Sequence, residues 1–196
     1  NVYIATENQK IAILCKSAGY NIVFTSDSCL TGTDRVAEAA KEIDADIFIN
    51  VQGDEPMIDP SDILRVIAEK KNNPTSVINC VSKLHSDERA EDKKIPKMVF
   101  DCGKNLLYCS RVAIPGSKDN GSNTFYKQVC IYAFSKSQLE KFSQREKTPL
   151  ENEEDIEINR FIEKGINVKL VEVNNVSYAV DYPEDIAILE KYIDEK

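Results

Sequence analysis

Asp46-Ile47-Phe48-Ile49-Asn50-Val51-Gln52-Gly53-Asp54-Glu55-Pro56 decides how this chain is read. An apolar run of strand character stops abruptly at Gln-Gly-Asp-Glu-Pro. In an open α/β sheet, ligands bind beyond the carboxyl ends of the strands. Asp54 is expected at such an end. A carboxylate held there by a glycine turn suits a hard divalent cation that carries a phosphate on its other side.

Outward from this stretch, strands and helices alternate. Val2-Tyr3-Ile4-Ala5 reads as a strand, and Ile11, Ala12, Leu14, Cys15 and Ala18 recur at helical spacing before Gly19. Asn21 to Thr25 is a strand, and Thr33 or Asp34 caps a helix through Val36, Ala37, Ala40 and Ile43. Asp59-Pro60 opens a helix with Ile63, Leu64 and Ile67 on one face, and Val77 to Val81 is a strand. This alternation predicts a mostly parallel sheet with helices on both faces.

The pattern then changes. Lys97 to Phe100 and Leu106 to Cys109 flank a Gly-containing turn and read as a hairpin, and Pro115 to Asn123 reads as a loop. Val129 to Phe134 is a buried strand and Ser137 to Phe142 a helix. Glu153 to Lys164 reads as one acidic-faced helix stopped at Gly165. Val168 to Val173 and Tyr178 to Asp181 are strands, and Tyr182-Pro183-Glu184-Asp185 opens the last helix. With no repeat and no linker, residues 1–196 form a single domain.

Composition narrows the function classes. A chain of this length buries roughly 70% of its unfolded surface. Its 42% hydrophobic and 30% charged residues are those of a globular protein. A net charge of −8 argues against a nucleic-acid partner, though not against a phosphate-bearing substrate neutralised by Mg²⁺. The six cysteines form no Cys-x-x-Cys pair and His85 is the only histidine, in a polar stretch, so a zinc site is not expected. Cysteines inside apolar runs, such as Cys80, read as buried thiols of a reducing compartment. No apolar run approaches the roughly 20 residues of a membrane span, so a cytoplasmic location and no membrane partner are expected.

Two acidic residues end apolar strands before a Pro-containing turn: Asp54, and Asp181 in Val180-Asp181-Tyr182-Pro183. Alone, Asp181 reads as a helix cap. Together the two carboxylates read as a Mg²⁺ pair completed by substrate phosphates. Thr31-Gly32-Thr33-Asp34-Arg35 offers hydroxyls, backbone N–H groups and a guanidinium to a base or phosphate, although a string of this kind is also a common loop and cap.

Thr31 to Arg35, Asn50 to Pro56, Tyr108-Cys109-Ser110-Arg111-Val112-Ala113-Ile114-Pro115, Ile131 to Phe134 and Val180 to Asp185 occur in that order. Together they resemble the 3-deoxy-manno-octulosonate (Kdo) cytidylyltransferase family, the CMP-Kdo synthetases, from end to end. The resemblance implies a three-layer, mostly parallel, Rossmann-like nucleotidyltransferase sheet with an inserted dimerisation hairpin, and a homodimer. It implies that the anomeric hydroxyl of a 2-keto-3-deoxy sugar acid attacks the α-phosphorus of CTP, releasing pyrophosphate, with Mg²⁺ as cofactor, in surface polysaccharide synthesis. It assigns Asp54 and Asp181 to the metal, and Gln52, Thr31, Gly32, Thr33 and Arg35 to the nucleotide. Arg111 falls on the sugar acid's carboxylate, a bidentate clamp, and Tyr132, Glu157, Gln128 and Ile158 on further sugar contacts.

Three departures qualify the resemblance. The family's His-Ile-Gly-Ile-Tyr is Gln128-Val129-Cys130-Ile131-Tyr132, and its Leu-Glu-Gln-Leu-Arg is Ile156-Glu157-Ile158-Asn159-Arg160. Losing a hydrogen-bonding Gln at 158 changes the readout of a sugar hydroxyl, so the acceptor is expected to be Kdo, an amino-Kdo, a related ulosonic acid or a less similar acceptor. The chain begins at what resembles the family's second strand, without its basic phosphate loop, and is expected to be N-terminally incomplete. An acylneuraminate-type or other CMP-transferring enzyme, and a non-catalytic nucleotide- or sugar-binding relative, remain alternatives.

Overall fold

The chain opens on a parallel unit, β1 (Tyr3–Thr6), α1 (Gln9–Ser17) and β2 (Asn21–Phe24), paired from Tyr3↔Asn21 to Thr6↔Phe24. The computed structural model describes residues 1–118, 124–143, 146–174, 179–180 and 182–194. Asn8 caps α1 through its side-chain oxygen, and Gly19 takes φ +87° just past its end, where a Cβ would be strained. Next comes α2 (Gly32–Ala39), capped by Thr31 rather than by Thr33 or Asp34 and ending before Ile43. The Thr31 hydroxyl accepts from the Asp34 N–H at 3.2 Å.

The Asp46-to-Pro56 stretch forms β3 (Phe48–Val51) and a turn. It is followed by α3 (Pro60–Asn72), whose Asp59 cap accepts from Ser61 N at 2.7 Å with Pro60 in the first turn, as expected. Then come β4 (Val77–Lys83), the hairpin β5 (Lys97–Phe100) and β6 (Leu106–Ser110), and the nine-residue β7 (Tyr126–Phe134). The chain continues through α4 (Lys136–Ser143), α5 (Pro149–Glu154), α6 (Ile158–Glu163), β8 (Val168–Glu172) and α7 (Pro183–Asp194).

Strand β7 organises the six-stranded sheet. β4 runs antiparallel along one edge of it and parallel to β8. The other edge is shared: β3 pairs with Ile131 to Phe134 and β5 with Lys127, both antiparallel. It follows that β3, β4, β5 and β8 run one way, and β6 and β7 the other. The expected mostly parallel direction holds for the first set, and β7 is the antiparallel insertion.

The two faces of β7 feed two cores. Val129, Ile131 and Ala133 pack toward Val66 of α3. Tyr132 and Phe134 face Ala37 of α2, Leu139 and Phe142 of α4, and Ile158 and Phe161 of α6. Alternation with a period of two thus gives a three-layer arrangement.

One expected helix is two. The 153–164 segment breaks where Asp155 takes a left-handed φ of 51°, so α5 stops and α6 restarts three residues later. The expected strand at Tyr178 to Asp181 is not formed at Ala179 and Val180, and Tyr178 and Asp181 lie outside the described residues. The part of the expected Pro115–Asn123 loop from 119 onward lies outside them as well. No helix of the described residues is long and apolar enough to cross a membrane.

Candidate active site

Between the partners of its shared edge, β7 lacks a strand neighbour at residues 128–130. An unpaired strand edge must satisfy its backbone some other way. The Cys130 N–H donates to Glu55 Oε1 at 2.9 Å, and the Gln52 N–H donates to the Cys130 carbonyl at 3.3 Å. The Gln128 N–H donates to the Pro96 carbonyl at 3.0 Å. The Gln-Gly-Asp-Glu-Pro turn therefore plugs the gap with Glu55 and stops there. A cleft of about 800 Å³ opens beside it, lined by Gln52, Asp54, Arg111, Gln128, Tyr132 and Glu157 among others. These sequence-selected residues come from strand ends and turns up to 105 positions apart, and the fold brings them together.

Glu157 is buried, and both its oxygens are used by the protein. Oε2 accepts from the Thr33 N–H at 2.9 Å, and Oε1 accepts from Gln52 Nε2 at 2.9 Å. Burial raises its pKa, and the bonds from Thr33 and Thr31 partly offset the rise. The expected sugar contact is thus also the tie between the first turn of α2 and the end of β3. Gly32 fits closely at that junction: a Cβ there would meet Gln52 Nε2 at a tight 3.3 Å and Asn50 Nδ2 at an ordinary 3.7 Å. Thr31, Gly32 and Thr33 stand behind Gln52 rather than on the cleft wall. Arg35 points elsewhere, donating to Thr25 Oγ1 at 2.6 Å and pairing with Glu7 at 2.6 Å beside the ends of β1 and β2.

Gln128 is locked from behind. Its Nε2 donates to Asn79 Oδ1 at 3.0 Å, while Asn79 Nδ2 donates to the carbonyls of Val129 and Ile131 at 2.9 and 3.0 Å. Asn79 sits where the β4–β7 register shifts, and its side chain satisfies the carbonyls that the bulge displaces. Tyr132 stacks on Phe134 at 5.9 Å, and burial holds its phenol well above the usual range, so it stays a neutral donor.

Arg111 is held entirely by neutral acceptors. Nε donates to the Glu154 carbonyl at 2.5 Å, Nη1 to Lys93 O at 3.0 Å and Nη2 to Asp155 O at 2.9 Å. Among the described residues no carboxylate pairs with its guanidinium, whose positive charge stands on the cleft wall.

On the acceptor side one assignment comes out differently. Ile158 is fully buried in the core of α6 and does not line the cleft. The break at Asp155 rotates it away from the wall and leaves Glu157 on it. Asp181 lies outside the described residues; nearby, the Val180 N–H donates to the Asp54 carbonyl at 2.8 Å. Sequence reasoning passed over Glu55, Asn79 and Glu154, whose partners lie 75, 49 to 52 and 43 to 46 positions away. No short-range signal marks such partners.

For a divalent cation the donor chemistry fits in one respect. Asp54 is a half-buried carboxylate on the cleft, while Glu55 is occupied by Cys130. Among the described residues no three His, Cys, Asp or Glu side chains gather into a metal cage. An oxygen site of one or two carboxylates completed by substrate phosphates is the arrangement that Mg²⁺ takes.

Comparison with known proteins bears on the family and the fold. A family model described as cytidylyltransferase matches residues 1–173. The 3-deoxy-manno-octulosonate cytidylyltransferase of Rickettsia bellii is 37% identical over 196 residues, covering 98% of this chain and 78% of that protein. That of Chlorobium phaeobacteroides is 36% identical over 194 residues, covering 97% and 78%. The solved structure of CMP:2-keto-3-deoxy-manno-octonic acid synthetase complexed with CTP superposes with a TM-score of 0.91 at 28% identity, over 100% of this chain and 81% of that one.

Proposed function

The chain belongs to the cytidylyltransferase family, among the 3-deoxy-manno-octulosonate cytidylyltransferases, and we propose that it joins CMP from CTP to Kdo or a close sugar acid. The sugar's anomeric oxygen forms a bond to the α-phosphorus, the bond to the β-phosphate oxygen breaks, and pyrophosphate leaves. The observation that carries the acceptor side is Arg111. A guanidinium fixed by carbonyls and left unpaired on a cleft wall is a receptor for a carboxylate.

The remaining groups take complementary roles in this reading. Arg111 orients the acid, and the neutral Tyr132 phenol and the fixed Gln128 amide contact its hydroxyls. Glu157 acts through Gln52 and Thr33, fixing the nucleotide side of the cleft. Asp54, with Asp181, would hold Mg²⁺, which when bound supplies charge neutralisation for the phosphates. Positioning two substrates in line is itself worth roughly 7–11 kcal/mol of barrier in favourable cases.

A variation on the acceptor is favoured by Gln128. One of its two Nε2 N–H groups goes to Asn79, which fixes the amide, and its Oε1 can accept from a hydroxyl or an amine on the ligand. An amino-substituted Kdo offers such a donor. A homodimer through the β5–β6 hairpin also belongs to this reading, supported by exposed Leu107, Val112 and Leu150. So does a cytoplasmic location, supported by six free cysteines.

The test is pyrophosphate release with CTP, Mg²⁺ and each of Kdo, an amino-Kdo and N-acetylneuraminate. Release with Kdo or its amino relative is expected. Release with the neuraminate alone would move the acceptor class, and no release together with no CTP binding would contradict the enzyme reading.

A further inference from the structure

One residue holds both the main chain and the side chain of Arg111. The Glu154 carboxylate accepts from the Arg111 backbone N–H at 2.8 Å, from Ser110 Oγ at 2.6 Å and from the Tyr108 hydroxyl at 2.8 Å. Its own carbonyl accepts from Arg111 Nε. Side chain and main chain of Glu154 thus hold main chain and side chain of Arg111 at once.

The local structure explains why. α5 ends at Glu154, and Asp155 turns left-handed. The last carbonyls of a helix have no partner within it and carry partial negative charge. The guanidinium takes two of them, from Glu154 and Asp155, and a third from Lys93. Of its five N–H groups, two therefore remain, one on each terminal nitrogen. From the other side, the buried Lys97 ammonium donates to the Arg111 carbonyl at 2.6 Å and to the Asp92 carbonyl at 2.7 Å.

The Glu154 carboxylate is suited to constant service. Burial opposes its ionisation, but the bonds from Arg111, Ser110 and Tyr108 outweigh it and hold its pKa below the usual range. Burial and then the bond to Glu154 push the Tyr108 phenol up to about 12, so it remains a donor.

We propose that Glu154 is the positioning residue of the sugar-acid half of the cleft, fixing Arg111 so that its two remaining N–H groups receive the acceptor's carboxylate. The proposal rests on the reading of Arg111 given above. Glu154 touches neither substrate. Its contribution is geometric: it removes the freedom of a long side chain before the acid arrives, which lowers the ordering cost of binding.

Steady-state kinetics of Glu154→Ala, Glu154→Gln, Arg111→Ala and Glu154→Ala with Arg111→Ala test this. Glu154→Ala is expected to raise the KM for the sugar acid about tenfold or more, with the KM for CTP within about twofold, as the loss of two or three charge-assisted hydrogen bonds implies. Glu154→Gln is expected to restore most of the loss, because its carbonyl can face the Arg111 N–H while the two hydroxyls turn to accept from its amide. Adding Glu154→Ala to Arg111→Ala is expected to raise the sugar-acid KM no further.

Equal rises in both KM values, no rise, or full additivity in the double variant would overturn the proposal. If Arg111→Ala alone leaves the sugar-acid KM unchanged, the reading of Arg111 itself fails, which is a separate outcome. If Glu154→Ala does not fold, Tyr108→Phe with Ser110→Ala replaces it. A rise of about threefold in the sugar-acid KM alone is then expected, and no selective rise would overturn the proposal.

Discussion

Two arginines flank the same broken helix and are treated in opposite ways. Arg160 of α6 is fully buried. It pairs through Nε and Nη2 with Glu151 at 2.5 Å each and with Asp34 at 2.9 and 3.2 Å, and its guanidinium lies 3.7 Å from the centre of the Phe142 ring. The Arg111 guanidinium makes three hydrogen bonds to the five of Arg160, and each of its own acceptors is a neutral carbonyl. The count differs, but the sharper difference is charge balance. A buried guanidinium, which keeps its proton, must be neutralised within the protein. A cation on a cleft wall that is oriented but not neutralised is held for a ligand. The ten residues from Glu151 to Arg160 supply both environments, so one short segment braces the nucleotide loop through Asp34 and Thr33, and the acid-binding side through Arg111.

The contrast can be broken from either side. The largest expected effect is on chemistry: Asp54→Ala lowers kcat at least about a thousandfold, the several kcal/mol expected from losing a charge clamp on phosphate, while the thermal midpoint stays within a few degrees. Near-normal turnover would remove Asp54 from the metal. Next is stability: Arg160→Leu strands Glu151 and Asp34 and is expected to cost about 3–5 kcal/mol in chemical denaturation. The sugar-acid KM, measured well below the midpoint, stays within a small factor. A selective loss of sugar-acid affinity in Arg160→Leu would mean that the two arginines are not separable in this way.

Ile158→Gln sharpens the same boundary. The fully buried position turns the introduced amide into a buried polar group without a partner, at about 1–3 kcal/mol. Acceptor preference is expected to stay as it was. A changed preference at unchanged stability would return residue 158 to the cleft.

The smallest effect is a pH dependence. Burial puts the Glu157 pKa above its ordinary 4.5 in the folded state. The favourable part of that shift is fully present below the ordinary value and is lost as pH rises through the raised one. Glu157→Gln has no such dependence. The stability of wild type minus that of Glu157→Gln is therefore expected to fall with rising pH across this window and to level off above it. A flat or rising difference would contradict the burial cost.

The strand-and-turn half of the site was legible in the sequence because its signals are local. The apolar run to Val51, Gly53 in the turn, Asp59-Pro60 and the Gly-containing hairpin turn each act within a few residues. The resemblance then placed Arg111, Gln128, Tyr132 and Glu157 on what proves to be one cleft. The α5–α6 half was not legible, because residues 153–164 contain no Gly or Pro to interrupt a helix, and a single left-handed Asp155 breaks it. One local sign was available: the Thr148 N–H donates to Glu151 three residues on, beside Pro149, which marks an earlier helix start. Glu154 could not have been found in this way, since Tyr108, Ser110 and Arg111 meet it across more than forty residues.

The central claim is that the unpaired charge of Arg111 exists for a carboxylate. It is tested most directly by calorimetric titration of Kdo, and of the analogue whose carboxylate is reduced to an alcohol, into wild type and Arg111→Ala with CTP site and Mg²⁺ saturated by a non-reactive CTP analogue. Wild type is expected to bind the acid at least about tenfold more tightly than the alcohol, the 1.4 kcal/mol or more of a charge-assisted pair, and Arg111→Ala to bind the two alike. Equal binding of acid and alcohol by wild type, or undiminished discrimination in Arg111→Ala, would contradict it.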